Sequence, residues 1–296
     1  MEKLSRCPVC DERKLEPSGE IIDHFLSGEI FQLCRCTNCG FLITNPRPEK
    51  KDLGRYYQSD DYFSHSKKKK GLITFLYNSV KKYALDQKFC LISRYKKQGS
   101  ILDIGCATGE VLHYFKNRGW KTMGIEPAEQ PRKFAVENYS LEVKPEEKIA
   151  KLNPGSFDVI TMWHVLEHVP DLNQRMREIH RLLKDDGLLT IALPNYLSWD
   201  ANHYNGFWAG YDMPRHLYHF TPVTMSKLLK KFDFSLIETI PMKFDAFYVS
   251  LLSEKYATGK MNYLKAFLNG LRSNQHAKKH ENNYSSLIYL AKKQNA

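Results

Sequence analysis

No apolar run in this 296-residue chain approaches the roughly 18 residues that a membrane-spanning helix requires, so no transmembrane segment is expected. The opening residues MEKLSRCPVC contain no apolar export core, which places the expected location in the cytoplasm, where thiols stay reduced. There is no internal repeat and no low-complexity segment, so solenoid and disordered-tail readings drop out. Cysteine is scarce after position 39: only Cys90 and Cys106 lie beyond it, and both are expected to pack as small apolar groups. What is present, 42% hydrophobic and 26% charged residues, is the composition of a soluble globule with room for a catalytic domain and an appendage.

The formal charge is +11, and such a basic field attracts phosphate and other anions. The charge is scattered, however. Its densest run, Lys67 to Lys70 beside Ser64, His65 and Ser66, reads as a solvated loop. An anionic substrate and a nucleic-acid partner both stay open on this ground.

Composition divides the chain into a cysteine-rich module at 1–48, a connector at 49–99 that is mostly helix over 72–96, and an α/β domain at 100–296. Within the connector, Leu72, Ile73, Leu76, Val80 and Leu85 follow the helical period. From residue 100, short apolar strands alternate with amphipathic helices, the pattern of a parallel sheet covered on both faces. Strands are expected at 100–105, 121–126, 140–144, 157–163, 188–193, 234–240 and 286–291. Asp171 is placed to cap a helix with the stripe Leu172, Met176, Ile179, Leu182 and Leu183, and Gly187 to end it. Thr221-Pro222 starts another helix. Helix-leaning sequence near 244–284 interrupts the sheet pattern and reads as an insertion.

The segment Ile101-Leu-Asp103-Ile-Gly105-Cys106-Ala107-Thr-Gly109 joins a buried strand to a helix. Its glycines let the backbone approach a ligand, but their spacing is not the G-x-G-x-x-G of pyrophosphate-binding turns. A carboxylate at the strand end instead suits an ammonium group, and the turn suits an uncharged sugar. These residues resemble the first motif of class I S-adenosylmethionine-dependent methyltransferases, and Met123-Gly-Ile-Glu126-Pro resembles the acidic motif at their next strand end. The run Phe157 to Pro170 is similar to their fourth strand and following turn, closest to the group containing ubiquinone-pathway O-methyltransferases. The resemblance covers residues 72 to 240. It implies a Rossmann-like methyltransferase sheet with helices on both faces, with S-adenosylmethionine held by Asp103, Gly105, Cys106, Ala107, Gly109 and Glu126. It further implies that Met162, Trp163 and His164 line the cofactor and that His168 lies on the acceptor side. Ubiquinone-pathway relatives bind a divalent metal here through two acidic residues and a histidine, but His164 stands at the first acidic position, which argues against magnesium. His164-x-x-Glu167-His168 also spells an inverted zinc-peptidase motif. Strand residues before it and Pro170 after it break the single helix face that chemistry needs.

After the fifth strand, an aromatic and titratable excursion runs through Trp199, His203, Trp208 and Tyr211 to Asp212-Met-Pro-Arg215-His216-Leu-Tyr-His219. Its end resembles a run in bacterial methyltransferases of surface-polysaccharide and secondary-metabolite pathways. Loops after strand C-termini bind ligands in open α/β sheets, so this segment is expected to cover the acceptor. Histidine titrates near neutrality, which makes His168 or His216 the candidate base, and Arg215 a candidate clamp for an anionic acceptor group.

Cys7-x-x-Cys10 and Cys36-x-x-Cys39 are two knuckles spaced as in a four-thiolate zinc ribbon; Cys34 is expected to be a strand residue instead of a ligand. The sequence Phe41 to Pro48 with Tyr56-Tyr57 resembles a zinc-ribbon extension on bacterial sugar and small-molecule methyltransferases. Ribosomal-RNA guanine methyltransferases also carry a zinc module. Three readings follow: a methyltransferase acting on a small molecule, nucleotide sugar or glycan precursor; an RNA methyltransferase using the ribbon and basic surface; and a non-catalytic cofactor-binding protein.

Overall fold

In a computed structural model, residues 1–57 and 72–294 are described, without the side chains of 72–79; the basic run Lys67 to Lys70 lies outside the described residues. Three strands come first, β1 (Leu15–Ile22), β2 (Ile30–Cys36) and β3 (Leu42–Thr44), and then helix α1 (Leu72–Ser93). Alternation follows: β4 (Ser100–Ile104), α2 (Glu110–Lys116), β5 (Lys121–Ile125), α3 (Glu129–Tyr139), β6 (Glu142–Lys144), β7 (Phe157–Trp163), α4 (Leu172–Leu182) and β8 (Leu183–Pro194). Beyond it lie α5 (Trp199–Tyr204), β9 (Tyr218–His219), α6 (Pro222–Lys231), β10 (Phe234–Pro241), α7 (Asp245–Thr258), α8 (Tyr263–Lys279) and β11 (Ser286–Lys293). No described helix is long and apolar enough to cross a membrane.

The strands form a seven-stranded sheet in the order β10-β11-β8-β7-β4-β5-β6 and a four-stranded sheet in the order β1-β2-β3-β9. In the larger sheet β4 pairs in parallel with β5 and β7, and β5 with β6. Ile101, Leu102 and Ile104 of β4 are buried, as a strand covered on both faces requires. By contact density one unit comprises Met1–Ser59, His164–Arg175 and Ile191–Leu290, and the other Asp60–Trp163, Met176–Thr190 and Ala291–Ala296.

Local chemistry explains the element starts. The Asp171 carboxylate accepts from Gln174 N at 2.9 Å, and the α4 stripe Leu172, Met176, Ile179, Leu182 is buried. Thr221 and Thr224 form a reciprocal capping box ahead of α6, with Pro222 in its first turn. The helix-leaning stretch 244–284 holds the helix pair α7 and α8.

Several expectations need correction. The α4 helix ends at Leu182 and the chain passes directly into β8, five residues earlier than expected, so Gly187 is a strand residue and not a cap. Glycine is needed there because a Cβ would lie 2.6 Å from Leu183 Cγ. Helix α1 ends at Ser93, three residues short of the stretch read as mostly helix, and Cys90 is exposed where packing was expected. Strand β9 was not foreseen at all. It pairs with β3 through Leu42↔His219 and Ile43↔Tyr218, making Tyr218–His219 the fourth strand of the cysteine-bearing sheet.

Candidate active site

The turn after β4 owes its shape to backbone freedom: Gly105, Ala107 and Gly109 all have positive φ, at 74°, 47° and 77°. Glycine is obligatory at 109, since a Cβ would meet Leu141 Cδ1 at 2.5 Å. Ala107 is the non-glycine exception, and its N–H donates to Glu126 Oε2 at 2.9 Å. Ala128 N–H donates to Glu126 Oε1, also at 2.9 Å, so the acidic residue at the end of β5 is fixed by two backbone donors. Burial raises the Glu126 pKa despite those donors. Asp103 is more deeply enclosed. Burial pushes its carboxyl up to about 7, against the hydrogen bond from Thr161 Oγ1 at 2.6 Å, and the neighbouring Glu126 charge adds to the rise. Cys106 is buried beside this turn, and Gly124 makes room for it, because a Cβ there would sit 2.5 Å from Cys106 Sγ. Gly124 was missed as a site-shaping residue, although a lone glycine inside a strand pattern marks close approach.

Met162 is fully buried, and the buried Trp163 Nε1–H has no hydrogen-bond partner among the described residues. The Lys88 ammonium lies 4.1 Å from the Trp163 ring centroid. Two enclosed carboxylates at adjacent strand ends, a glycine turn and an unpaired indole donor form a set that fits a ligand carrying an ammonium group and vicinal hydroxyls.

In the other unit, Glu167, His168 and His216 come together, each offering a ligand atom within 4.8 Å of the others. The His168 and His216 rings meet edge-on at 4.5 Å. His168 Nδ1 lies 3.1 Å from Arg215 O and 3.0 Å from Tyr57 OH. A carbonyl only accepts, so Nδ1 carries the hydrogen and Nε2 keeps its lone pair. The same logic applies to His216, whose Nδ1 is 2.9 Å from Gly210 O. Burial, reinforced by the His216 charge, holds the His168 pKa down to about 4. Neutral imidazole is therefore its resting form. Both oxygens of the buried Glu167 carboxylate lack a hydrogen-bond partner among the described residues, although His164 Nδ1 stands 3.5 Å away. Two imidazoles and a carboxylate could hold a borderline divalent cation, and the donor set suits magnesium poorly.

His164 itself, expected to line the cofactor, sits at φ 56° and makes ion pairs with Asp245 Oδ2 at 3.0 Å and Glu167 at 3.5 Å. Burial opposes its charge, but the pairing with the Asp245 and Glu167 carboxylates prevails and raises its pKa from 6.5 to about 10. The sign follows from linkage: the pairing contributes in full below the unfolded pKa of 6.5 and is lost as pH rises through about 10. The stability advantage of the native chain over His164→Asn, which tolerates positive φ, should be constant at acidic pH and shrink across that window. Urea midpoints measured along a pH series check this, and a gap that widens instead would rule out the charged pairing.

Arg215 differs most from expectation. Its Nε and Nη2 donate to Asp212, Nη2 also to Asp23 Oδ1 at 2.8 Å, and Nη1 to Tyr56 O at 3.1 Å, with the side chain 1% exposed. The guanidinium is committed to protein partners and is a structural anchor, so it is not free to clamp an acceptor.

The four knuckle cysteines converge. Cys7 and Cys39 Sγ lie 3.5 Å apart, as do Cys10 and Cys36 Sγ, and all four sulfurs fall within 4.8 Å of one another. Tetrahedral thiolates at a Zn–S distance of about 2.3 Å would be separated by about 3.8 Å, so the cluster fits a four-thiolate site. Cys34 stands outside it in β2, donating to Asn45 O at 3.2 Å. The ribbon is braced against neighbouring segments by Arg47, which donates to Tyr218 OH at 2.7 Å and to Pro170 O at 2.8 Å.

A family profile described as methyltransferase domain matches residues 78–239. A ubiquinone biosynthesis O-methyltransferase of Pseudomonas paraeruginosa is 32% identical over 103 residues, covering 32% of this chain and 44% of that protein. The protein of the same name from Idiomarina loihiensis is 30% identical over 173 residues, covering 52% of this chain and 69% of its own length. The alignments thus span less than half the length of several of these relatives. A solved structure described as a putative sarcosine dimethylglycine methyltransferase from Galdieria sulphuraria has a TM-score of 0.51 at 15% identity, covering 72% of this chain and 84% of the other; it shares the fold.

Proposed function

Because this chain belongs to the methyltransferase-domain family, we propose that it transfers the methyl group of S-adenosylmethionine to an oxygen of a small-molecule acceptor, with His168 as the base. The observation that carries the cofactor half is the pair of buried carboxylates at adjacent strand ends, Asp103 and Glu126, the second held by the turn amide of Ala107. Asp103 answers the ammonium and Glu126 the ribose hydroxyls, while Met162 and Trp163 wall the site. The cofactor supplies an electrophilic methyl. The chain supplies orientation, exclusion of water and a proton acceptor at His168 Nε2, kept neutral by its surroundings. An oxygen acceptor is supported by the names of the relatives, and a nucleotide sugar or glycan precursor offers such oxygens.

Glu126→Ala should weaken S-adenosylhomocysteine binding by about 1–3 kcal/mol, the range for a lost charge-assisted hydrogen bond. Titration calorimetry on the two proteins reads this directly, and equal affinities would remove Glu126 from the site.

Cys7, Cys10, Cys36 and Cys39 are proposed to hold one structural zinc ion, closed to chemistry by its four thiolates. Elemental analysis should find one equivalent in the native chain and in Cys34→Ser, and little in Cys39→Ser. Retention in the last variant and loss in the former would reassign the ligand set.

A further inference from the structure

Helix α8 is amphipathic in the inverted sense. It buries a small and polar face, Ala266, Asn269, Gly270, Ser273 and Ala277, and turns its large apolar residues outward. Tyr263 is 69% exposed, Leu264 71% and Phe267 53%, with Leu268 and Leu271 completing the stripe at i, i+1, i+4, i+5 and i+8. The small face has a packing reason: a Cβ on Gly270 would lie 2.6 Å from Phe247 Cδ1, so α7 approaches too closely for anything larger. That reason does not account for the five apolar side chains facing water, and Phe244 and Tyr248 of the α7 end are exposed as well. Exposed apolar patches of this kind mark interaction surfaces.

The charge around the stripe selects the partner. Residues 255–280 contain Lys255, Lys260, Lys265, Arg272, Lys278 and Lys279 and no Asp or Glu. Only Lys265 makes an ion pair among the described residues here, with Glu254 at 3.1 Å. We propose that the α7–α8 hairpin docks on an anionic lipid bilayer, its leucine and aromatic stripe entering the headgroup boundary and its basic residues meeting acidic headgroups. Self-association is disfavoured because a two-fold contact sets this basic rim against its own copy. Nucleic acid is disfavoured because, although Tyr263 and Phe267 could stack on bases, the exposed Leu264, Leu268 and Leu271 beside them gain nothing from a base or a phosphate. The inference is independent of the acceptor and of the base.

Co-sedimentation of the full chain with vesicles tests it. Binding to mixed phosphatidylcholine and phosphatidylglycerol vesicles should be at least about tenfold stronger than to pure phosphatidylcholine, and should weaken with salt. Leu264→Glu/Phe267→Glu should reduce binding to the mixed vesicles by at least about tenfold, as loss of buried apolar contact requires. Lys278→Glu/Lys279→Glu, at exposed positions, should do so through charge while the chain stays folded by circular dichroism. Equal binding to both vesicle types, or binding indifferent to both double variants, overturns the proposal. So does a concentration-dependent dimer that Leu264→Glu/Phe267→Glu dissociates without any vesicle binding, which would make the face a protein contact. RNA binding that the lysine variant abolishes, again without vesicle binding, would assign the surface to nucleic acid.

Discussion

Arg215→Ala is expected to destabilise the chain by about 3–5 kcal/mol, the range for removing one partner of a buried ion pair. The guanidinium sits between Asp23 and Asp212 and over the Phe25 ring, 4.6 Å from its centroid. Asp23 is fully buried, and burial alone would raise its pKa; the Arg215 hydrogen bond and the N–H of Ser27 more than offset this and hold it below its usual value. Removing the cation leaves the buried Asp23 and the partly buried Asp212 with charges that are no longer balanced. Arg215→Met, which keeps the length and apolar stem, should be nearly as damaging, because the lost charge and not the lost volume is the cause. Both are read from chemical denaturation followed by tryptophan fluorescence. A loss below about 1 kcal/mol in both would mean that the aspartates find other compensation or were never buried. The native pairing also sets an acid limb: Asp23 contributes above its unfolded pKa near 3.8, and that contribution is lost as pH falls through its lower folded value.

His168→Ala should lower turnover by about 10²–10⁴-fold while leaving cofactor affinity unchanged, the signature of a lost general base. The imidazole is oriented by Arg215 O at Nδ1, and burial with the His216 charge keeps it unprotonated down to about 4. The activity of the native chain should therefore hold its plateau below 6.5, where an ordinary histidine would already be protonated. A pH profile falling with a midpoint near 6.5 would transfer the role to another group. A His168→Ala variant with intact turnover would remove a base from the mechanism.

The cofactor half was legible because its signals are local. Asp103, Gly105 and Gly109 sit within one turn, and Glu126 ends the next strand, so buried strands and glycine spacing expose them in order along the chain. The four thiolates were legible for the same reason, each knuckle being four residues long. What escaped was long-range. Arg215 looked like an acceptor clamp because nothing near it in sequence shows that Asp23, 192 positions away, is its partner. Strand β9 is only two residues long and exists by pairing with β3, so no periodicity announces it. The helix-leaning sequence near 244–284 announced helices but not which face they bury, and burial of the small face of α8 reverses the usual assignment of apolar residues to the core.

Methyl transfer from S-adenosylmethionine to a small molecule is the activity proposed for this chain. Its most direct test is incubation of the purified chain with methyl-labelled cofactor and a cell extract fractionated into metabolites, glycans, lipids and RNA, run beside Glu126→Ala and His168→Ala. Label should appear in the low-mass or glycan-precursor fractions and be reduced in both variants, with cofactor affinity lowered only in Glu126→Ala. Label accumulating in RNA, or undiminished label from His168→Ala, would contradict it.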